Sequence, residues 1–120
     1  PATRSSALVQ AIDLMPTVCD ALSVAIPPGI HGHTLLPIVR LQARSVRDHA
    51  LMADAGRACA IRTPAWNLVL PPATADSESS PETQLFVKPD DRWDRNDVAK
   101  QYPEVVEQLE QVLRRHVVTA

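Results

Sequence analysis

Glycine is scarce in this chain: three in 120 residues, at positions 29, 32 and 56. Three scattered glycines cannot build a phosphate-cradling loop, and no G-x-S-x-G nucleophile elbow occurs. Aromatics are almost as few, two Trp, one Tyr and one Phe. The core therefore has to be aliphatic, made of Leu, Val, Ile and Ala. Basic charge is not in excess either. Lys plus Arg is 12 against 14 Asp plus Glu, a net charge of −2, so nothing favours counterion release from a nucleic-acid backbone and no nucleic-acid partner is expected. No apolar run approaches the roughly 20 residues needed to span a bilayer. Two cysteines, Cys19 and Cys59, are too few for a disulfide scaffold and read as thiols in apolar segments. The chain opens on Pro1 with no initiating Met and no signal-peptide core, and reads as cut from something longer. What it does have is 45% apolar residues, enough for a packed core, and 11 prolines that punctuate it.

Between Leu14 and Leu22, apolar residues fall at 14, 15, 18, 19 and 22, one face of a helix. Asp13 is its candidate N-cap and Pro16 lies in its first turn, where a missing N–H costs little. The helix is expected to end near Ser23. Two prolines and two glycines then keep 25–33 irregular. Thr34–Arg40 reads as a short helix capped by Thr34, with Pro37 in its first turn. The period next changes. Segments 50–53, 58–63, 66–70 and 84–88 read as four short strands, the second and third a hairpin turning at Pro64-Ala65. Residues 71–81 read as a surface loop. The last helix begins at Pro103 and carries a stripe of Val105, Val106, Leu109, Val112, Leu113, His116 and Val117. Its acids lie early and its arginines late, as the macrodipole favours. The fold class is α+β: a small four-stranded antiparallel sheet packed by a C-terminal helix, with helices before it.

Few residues are arranged for chemistry. His31 and His33 flank Gly32, and two imidazoles in one loop could face one ion, but no third ligand stands at a recognisable spacing. Cys59 and His49 have the residue types of a thiolate and its base, yet Cys59 lies in an apolar strand, the setting of an inert thiol. Cys19 reads the same way. Asp90, Asp91, Asp94 and Asp97 lack the glycine of a calcium loop and read as a solvated turn. No catalytic or metal-ligating residue is assigned.

Several stretches resemble the C-terminal part of the sulfatase family, in the alkaline-phosphatase-like superfamily. Asp13-Leu14-Met15-Pro16-Thr17-Val18-Cys19-Asp20-Ala21-Leu22 resembles its D-L-x-P-T helix. Gly32-His33-Thr34-Leu35-Leu36-Pro37-Ile38-Val39 resembles the following G-x-S-L-L-P-L-L segment, with Thr34 for the usual Ser. Arg62-Thr63-Pro64-Ala65-Trp66-Asn67 resembles an R-T hairpin in which Lys is common at the place of Asn67. Leu85-Phe86 through Asp91, Asp94 and Asp97-Val98-Ala99 resembles the L-Y/F-D-L-x-x-D-P-x-E-x-x-N-L-A stretch, with Val87 and Lys88 for D-L, Arg92 for Pro and Asp97 for Asn. Tyr102-Pro103-Glu104-Val105-Val106 resembles the closing helix. Together these segments cover most of residues 9–113.

The resemblance implies a division into 1–42, the end of a catalytic α/β domain, and 46–120, a C-terminal subdomain. It implies a parent that hydrolyses sulfate esters with a formylglycine, made from the Cys or Ser of a C/S-x-P-x-R motif, and a divalent cation, usually calcium. That motif does not occur here, so no cofactor is assigned to this segment. The expected partners are the rest of the sulfatase chain and, through it, a sulfated small molecule or glycan. A secreted or periplasmic setting is common for such enzymes. His31 and His33 become candidates to line the substrate cleft. The alternatives are a non-catalytic α+β module that binds a protein or glycan, and a small metal- or thiol-dependent enzyme using His31, His33 or Cys59.

Overall fold

In a computed structural model, the described residues are 2–54, 58–71 and 82–117. They fall into two compact units, divided between Ala50 and Leu51. The expected loop at 71–81 lies, apart from Pro71, outside the described residues.

In the first unit a single 3-10 turn, Ala11–Asp13, runs into helix α1, Leu14–Ala21. Pro16 sits in the first turn as expected and is buried. The helix closes as a Schellman motif. Ser23 adopts φ 55°, its N–H bonds Asp20 O at 3.1 Å, and Val24 N–H bonds Cys19 O at 2.8 Å. A second helical turn, α2, spans Leu36–Val39 and closes the same way around Leu41 at φ 59°. Glycine is the usual residue at such positions, and Leu in the left-handed region costs about 1–2 kcal/mol.

The two caps differ from the sequence reading. Asp13 precedes α1 but its side chain does not cap that helix; it turns back to the Gln10 amide at the start of the 3-10 turn. Leu35, not Thr34, occupies the N-cap of α2, and the Thr34 hydroxyl accepts Leu36 N–H at 3.3 Å.

The second unit is built on a four-stranded sheet: β1 (Ala50–Asp54), β2 (Ala58–Arg62), β3 (Trp66–Leu70) and β4 (Gln84–Val87), in spatial order β1-β2-β3-β4. β3 is antiparallel to both neighbours. The hairpin turns at Pro64-Ala65 as read. Without glycine there, it is closed by Thr63 N–H to Trp66 O at 2.8 Å and by Trp66 N–H to the Thr63 hydroxyl at 3.0 Å. The register places Ile61, Leu68 and Leu85 in one row across three strands. Period-two alternation puts Cys59, Trp66, Leu70 and Val87 on the same face.

Helix α3, Pro103–Val117, covers that face. Leu113 and Val98 complete a buried cluster with the Ile61–Leu68–Leu85 row, and Val105, Val106, Leu109 and Val112 pack around it. Of the expected stripe, Val105, Val106, Leu109, Val112 and Leu113 pack here, whereas His116 is exposed. The start of the helix is pinned by Tyr102, whose ring centroid lies 5.1 Å from that of Trp66. The Glu110–Arg114 pair is exposed at 3.8 Å and adds a few tenths of a kcal/mol at most.

The acidic turn is more organised than a solvated one. Asp97 Oδ1 accepts the amides of Leu85 at 3.0 Å and Ala99 at 2.9 Å. Asp91 accepts those of Arg95 and Asn96, which holds its carboxyl below the usual range. Asp94, at φ 51°, pairs with Lys88 at 2.5 Å and accepts from Asn67 Nδ2 at 3.1 Å. These carboxylates satisfy loop donors. Among the described residues, no three His, Cys, Asp or Glu side chains come together as metal ligands, and no helix is long and apolar enough to cross a membrane.

Candidate functional site

The first unit is organised around a polar knot. Asp13 is fully buried, 0% exposed, and among the described residues before β1 the only other buried one is Pro16. Its Oδ2 accepts Gln10 N–H at 2.7 Å, its Oδ1 accepts His33 N–H at 2.9 Å, and Arg47 forms an ion pair with it. The Arg47 guanidinium also donates to Gln10 Oε1, so one planar fork spans two acceptors. Ser45 shapes the turn that presents it, accepting Arg47 N–H at 3.2 Å and donating to Arg47 O at 2.7 Å. Burial pushes the Asp13 carboxyl upward. The two amides and the guanidinium outweigh it, and the pKa lies below the ordinary carboxylate value. Arg47 Nε is buried with no partner, so the fit is incomplete.

Two more side chains of α1 continue the knot. Thr17 Oγ1 donates to Asp13 O at 2.5 Å and accepts Leu35 N–H at 2.9 Å. Asp20 Oδ2 accepts the Thr34 hydroxyl at 2.7 Å. The segments read as D-L-x-P-T-x-x-D and G-x-T-L-L-P thus clasp each other position by position: Asp13 to His33, Thr17 to Leu35, Asp20 to Thr34.

Gly32 makes the clasp possible. A Cβ built there would lie 2.0 Å from Ile12 O and 2.6 Å from Ile12 C, both backbone atoms that cannot swing aside. Gly32→Ala is expected to force the 30–35 loop off α1 and to cost about 1–3 kcal/mol or more. Amide exchange at His33 and Leu35 reads this directly, and unchanged protection at both would refute the clasp.

The sequence-derived candidates separate. His33 belongs to the knot: its amide binds Asp13, and its Nδ1 lies 3.2 Å from an Arg47 guanidinium nitrogen. That nitrogen only donates, so a bond between the two has His33 Nδ1 as its acceptor. His31 is exposed and no described bond draws it in. Cys59 packs against the core of the second unit, and both cysteines are free and half-buried. Arg47 and Gln10 were missed. Nothing in the sequence distinguishes Arg47 from Arg40 or Arg44 nearby, because its role depends on a carboxylate 34 residues away. No constellation of nucleophile, base and oxyanion donor appears among these residues.

No family model matches the chain. Arylsulfatase K of Danio rerio is 30% identical over 112 residues, covering 88% of this chain and 21% of that protein. A solved structure described as a complex with its substrate D-glucosamine-2-N,6-O-disulfate superposes with a TM-score of 0.68 at 21% identity, over 87% of this chain and 23% of the other. A 2-O GAG sulfatase gives a TM-score of 0.67 at 18% identity, over 89% and 24%. The chain therefore spans about a fifth to a quarter of the length of these relatives, and it shares their fold over most of its own.

Proposed function

Because the chain is a C-terminal segment of the sulfatase family, we propose that it serves its parent as a structural part, non-catalytic by itself, with sulfate-ester hydrolysis carried out elsewhere in that parent. One observation carries this reading: almost the whole chain aligns with only about a fifth of a sulfatase. On this proposal residues 1–42 are the end of the catalytic α/β domain and 46–120 the C-terminal subdomain. The parent's substrate is a sulfated small molecule or glycan.

The family's formylglycine and divalent cation do not fit the residues here. The sequence holds no C/S-x-P-x-R motif, and the described residues bring no metal-ligand cluster together. The cation and formylglycine are therefore assigned to the rest of the parent, and no chemical step is routed through this chain. What it supplies is placement. The knot around Asp13 holds the His31–His33 loop in one conformation, and the His33 imidazole is the donor it would offer at the substrate cleft.

The test has two parts. The 120-residue chain alone is expected to show no aryl sulfatase turnover, and a parent with an upstream C/S-x-P-x-R motif is expected to show it; turnover by the chain alone would overturn the assignment. Within the active parent, His33→Ala is expected to lower kcat/KM by about 10–150-fold, the worth of one hydrogen bond to a charged oxygen. If His31→Ala/His33→Ala left kcat/KM unchanged, neither histidine would line the cleft.

A further inference from the structure

Four aromatic side chains serve the whole sequence, and three of them pack: Phe86 is 5% exposed, and Trp66 and Tyr102 lie against each other. Trp93, in the turn after β4, is 74% exposed. The Arg92 guanidinium stands over its ring, 5.2 Å from the centroid, within the range of a cation–π contact. An indole has two faces, and at this exposure the one away from Arg92 is open to solvent. Arg92 is exposed as well and forms no ion pair among the described residues, so its donors are available. Trp and Arg together are the side chains that dominate binding surfaces. The turn presents this pair rigidly. Asp91 accepts the amides of Arg95 at 2.9 Å and Asn96 at 2.8 Å. Lys88 Nζ donates to the Asp91 and Arg92 carbonyls at 2.6 and 3.3 Å and pairs with Asp94, which Asn67 of β3 also holds. Residues on both sides of Trp93 are thus tied down, and little backbone freedom remains to be lost on binding. The same bonds occupy the acids. Asp91, Asp94 and Asp97 serve donors of the fold, and of the four only Asp90 has no partner among the described residues.

We propose that Trp93 and Arg92 form a binding site for a sulfated sugar. The open indole face takes the C–H face of a pyranose ring, whose weakly positive hydrogens meet the negative π cloud. The Arg92 guanidinium donates parallel N–H bonds to the oxygens of a sulfate carried by that ring. The choice of sulfate as the anion rests on the sulfatase reading; the aromatic face and the unpaired guanidinium stand without it. A nucleic-acid strand also stacks on aromatic rings, but a chain of net charge −2, with four Asp in this turn, gives its repeated phosphates no basic track. A single sulfated sugar needs one stacking face and one guanidinium, which is what the turn holds.

The test uses the full-length parent with a heparin hexasaccharide as probe, and calorimetry at fixed ionic strength. Trp93→Ala is expected to raise Kd about 5–50-fold, with Trp93→Phe in between, and Arg92→Gln to raise it at least about fivefold. The desulfated, N-acetylated hexasaccharide is expected to bind more weakly and to be indifferent to Arg92→Gln. Both side chains are exposed, so the denaturant midpoint should stay where it is in each variant. Unchanged hexasaccharide affinity in Trp93→Ala overturns the inference. Tighter binding of a single-stranded oligothymidylate than of the hexasaccharide would assign the turn to nucleic acid and overturn it as well. Aryl sulfate turnover by the parent tests the sulfatase reading separately. A parent without turnover whose hexasaccharide affinity still depends on Trp93 would sink that reading and keep the site; turnover without this dependence would do the reverse.

Discussion

Arg47→Met is expected to destabilise the first unit by about 3–5 kcal/mol, because it strands a buried carboxylate. Asp13 is fully buried and the Arg47 side chain 7% exposed, so neither charge can recover its hydration without opening the clasp. Arg47→Lys should rescue little, since an ammonium cannot reach both Gln10 Oε1 and Asp13 in the geometry of a guanidinium fork. Asp13→Asn removes the charge but keeps the shape, and should cost less than Asp13→Ala, which also abandons the Gln10 and His33 amides. Combining Arg47→Met with Asp13→Asn should cost less than the sum of the two, because the stranded charge is gone. Exchange rates of the His33 and Gln10 amides measure each variant locally. A cost below about 1 kcal/mol for Arg47→Met would show that the pair is dispensable.

The same pair sets an acid limit. Since the folded pKa of Asp13 is depressed, its contribution to stability is fully present above the unfolded value of about 4 and fades as pH falls through the lower folded value. In Arg47→Met the guanidinium no longer opposes burial, so loss of the clasp should begin at higher pH than in the natural chain. An acid titration followed at the His33 amide would show the displacement, and coincident curves would contradict it.

Leu68→Ala is expected to cost the second unit about 2–5 kcal/mol. Leu68 is 0% exposed, sits at the centre of the Ile61–Leu68–Leu85 row, and belongs to the cluster that Leu113 closes. Neighbours on both flanking strands hold the cavity open, so little collapse can offset the lost contacts. Gln111→Ala, on the exposed side of α3, should stay within about 0.5 kcal/mol. Trp66, packed against Tyr102, gives an optical probe of this unit, and denaturant midpoints for the two variants supply the comparison. Equal midpoints would mean that the row is not the centre of the core.

Much of the second unit was legible without coordinates. The stripe from Val105 to Leu113 named the covered side of α3, and the four short apolar segments named the strands, whose register then set Ile61, Leu68 and Leu85 on one face. Both signals are local, and the structure follows them because a helix and a sheet with one apolar side each have one good way to meet. The resemblance to sulfatases was legible as well, through motifs whose order survives divergence. The site was less so. Asp13 was read as a helix cap because a cap is what an Asp before a helix does locally. Its real partners include His33 and Arg47, 20 and 34 residues away. Thr34 lies one residue before the N-cap, and its hydroxyl also reaches a distant partner, donating to Asp20 while accepting Leu36 N–H.

The shortage of glycine belongs to both sides of this account. Composition alone excluded a phosphate loop. It left open that Gly32 would be needed for the closeness of Ile12 rather than for a turn, and that Ser23, Leu41 and Asp94 would enter the left-handed region without glycine's freedom. By itself the sequence determined which residues of a helix share a face, that α3 begins at Pro103, and that the sheet unit has an aliphatic core. Only the tertiary structure decided that α1 turns its polar side inward and its apolar side out. Periodicity defines a face but carries no sign for its direction. That sign came from bonds across 14 to 34 residues, among Asp13, Thr17, Asp20, His33, Thr34, Leu35 and Arg47, and a buried charge leaves little choice about where its partners must be.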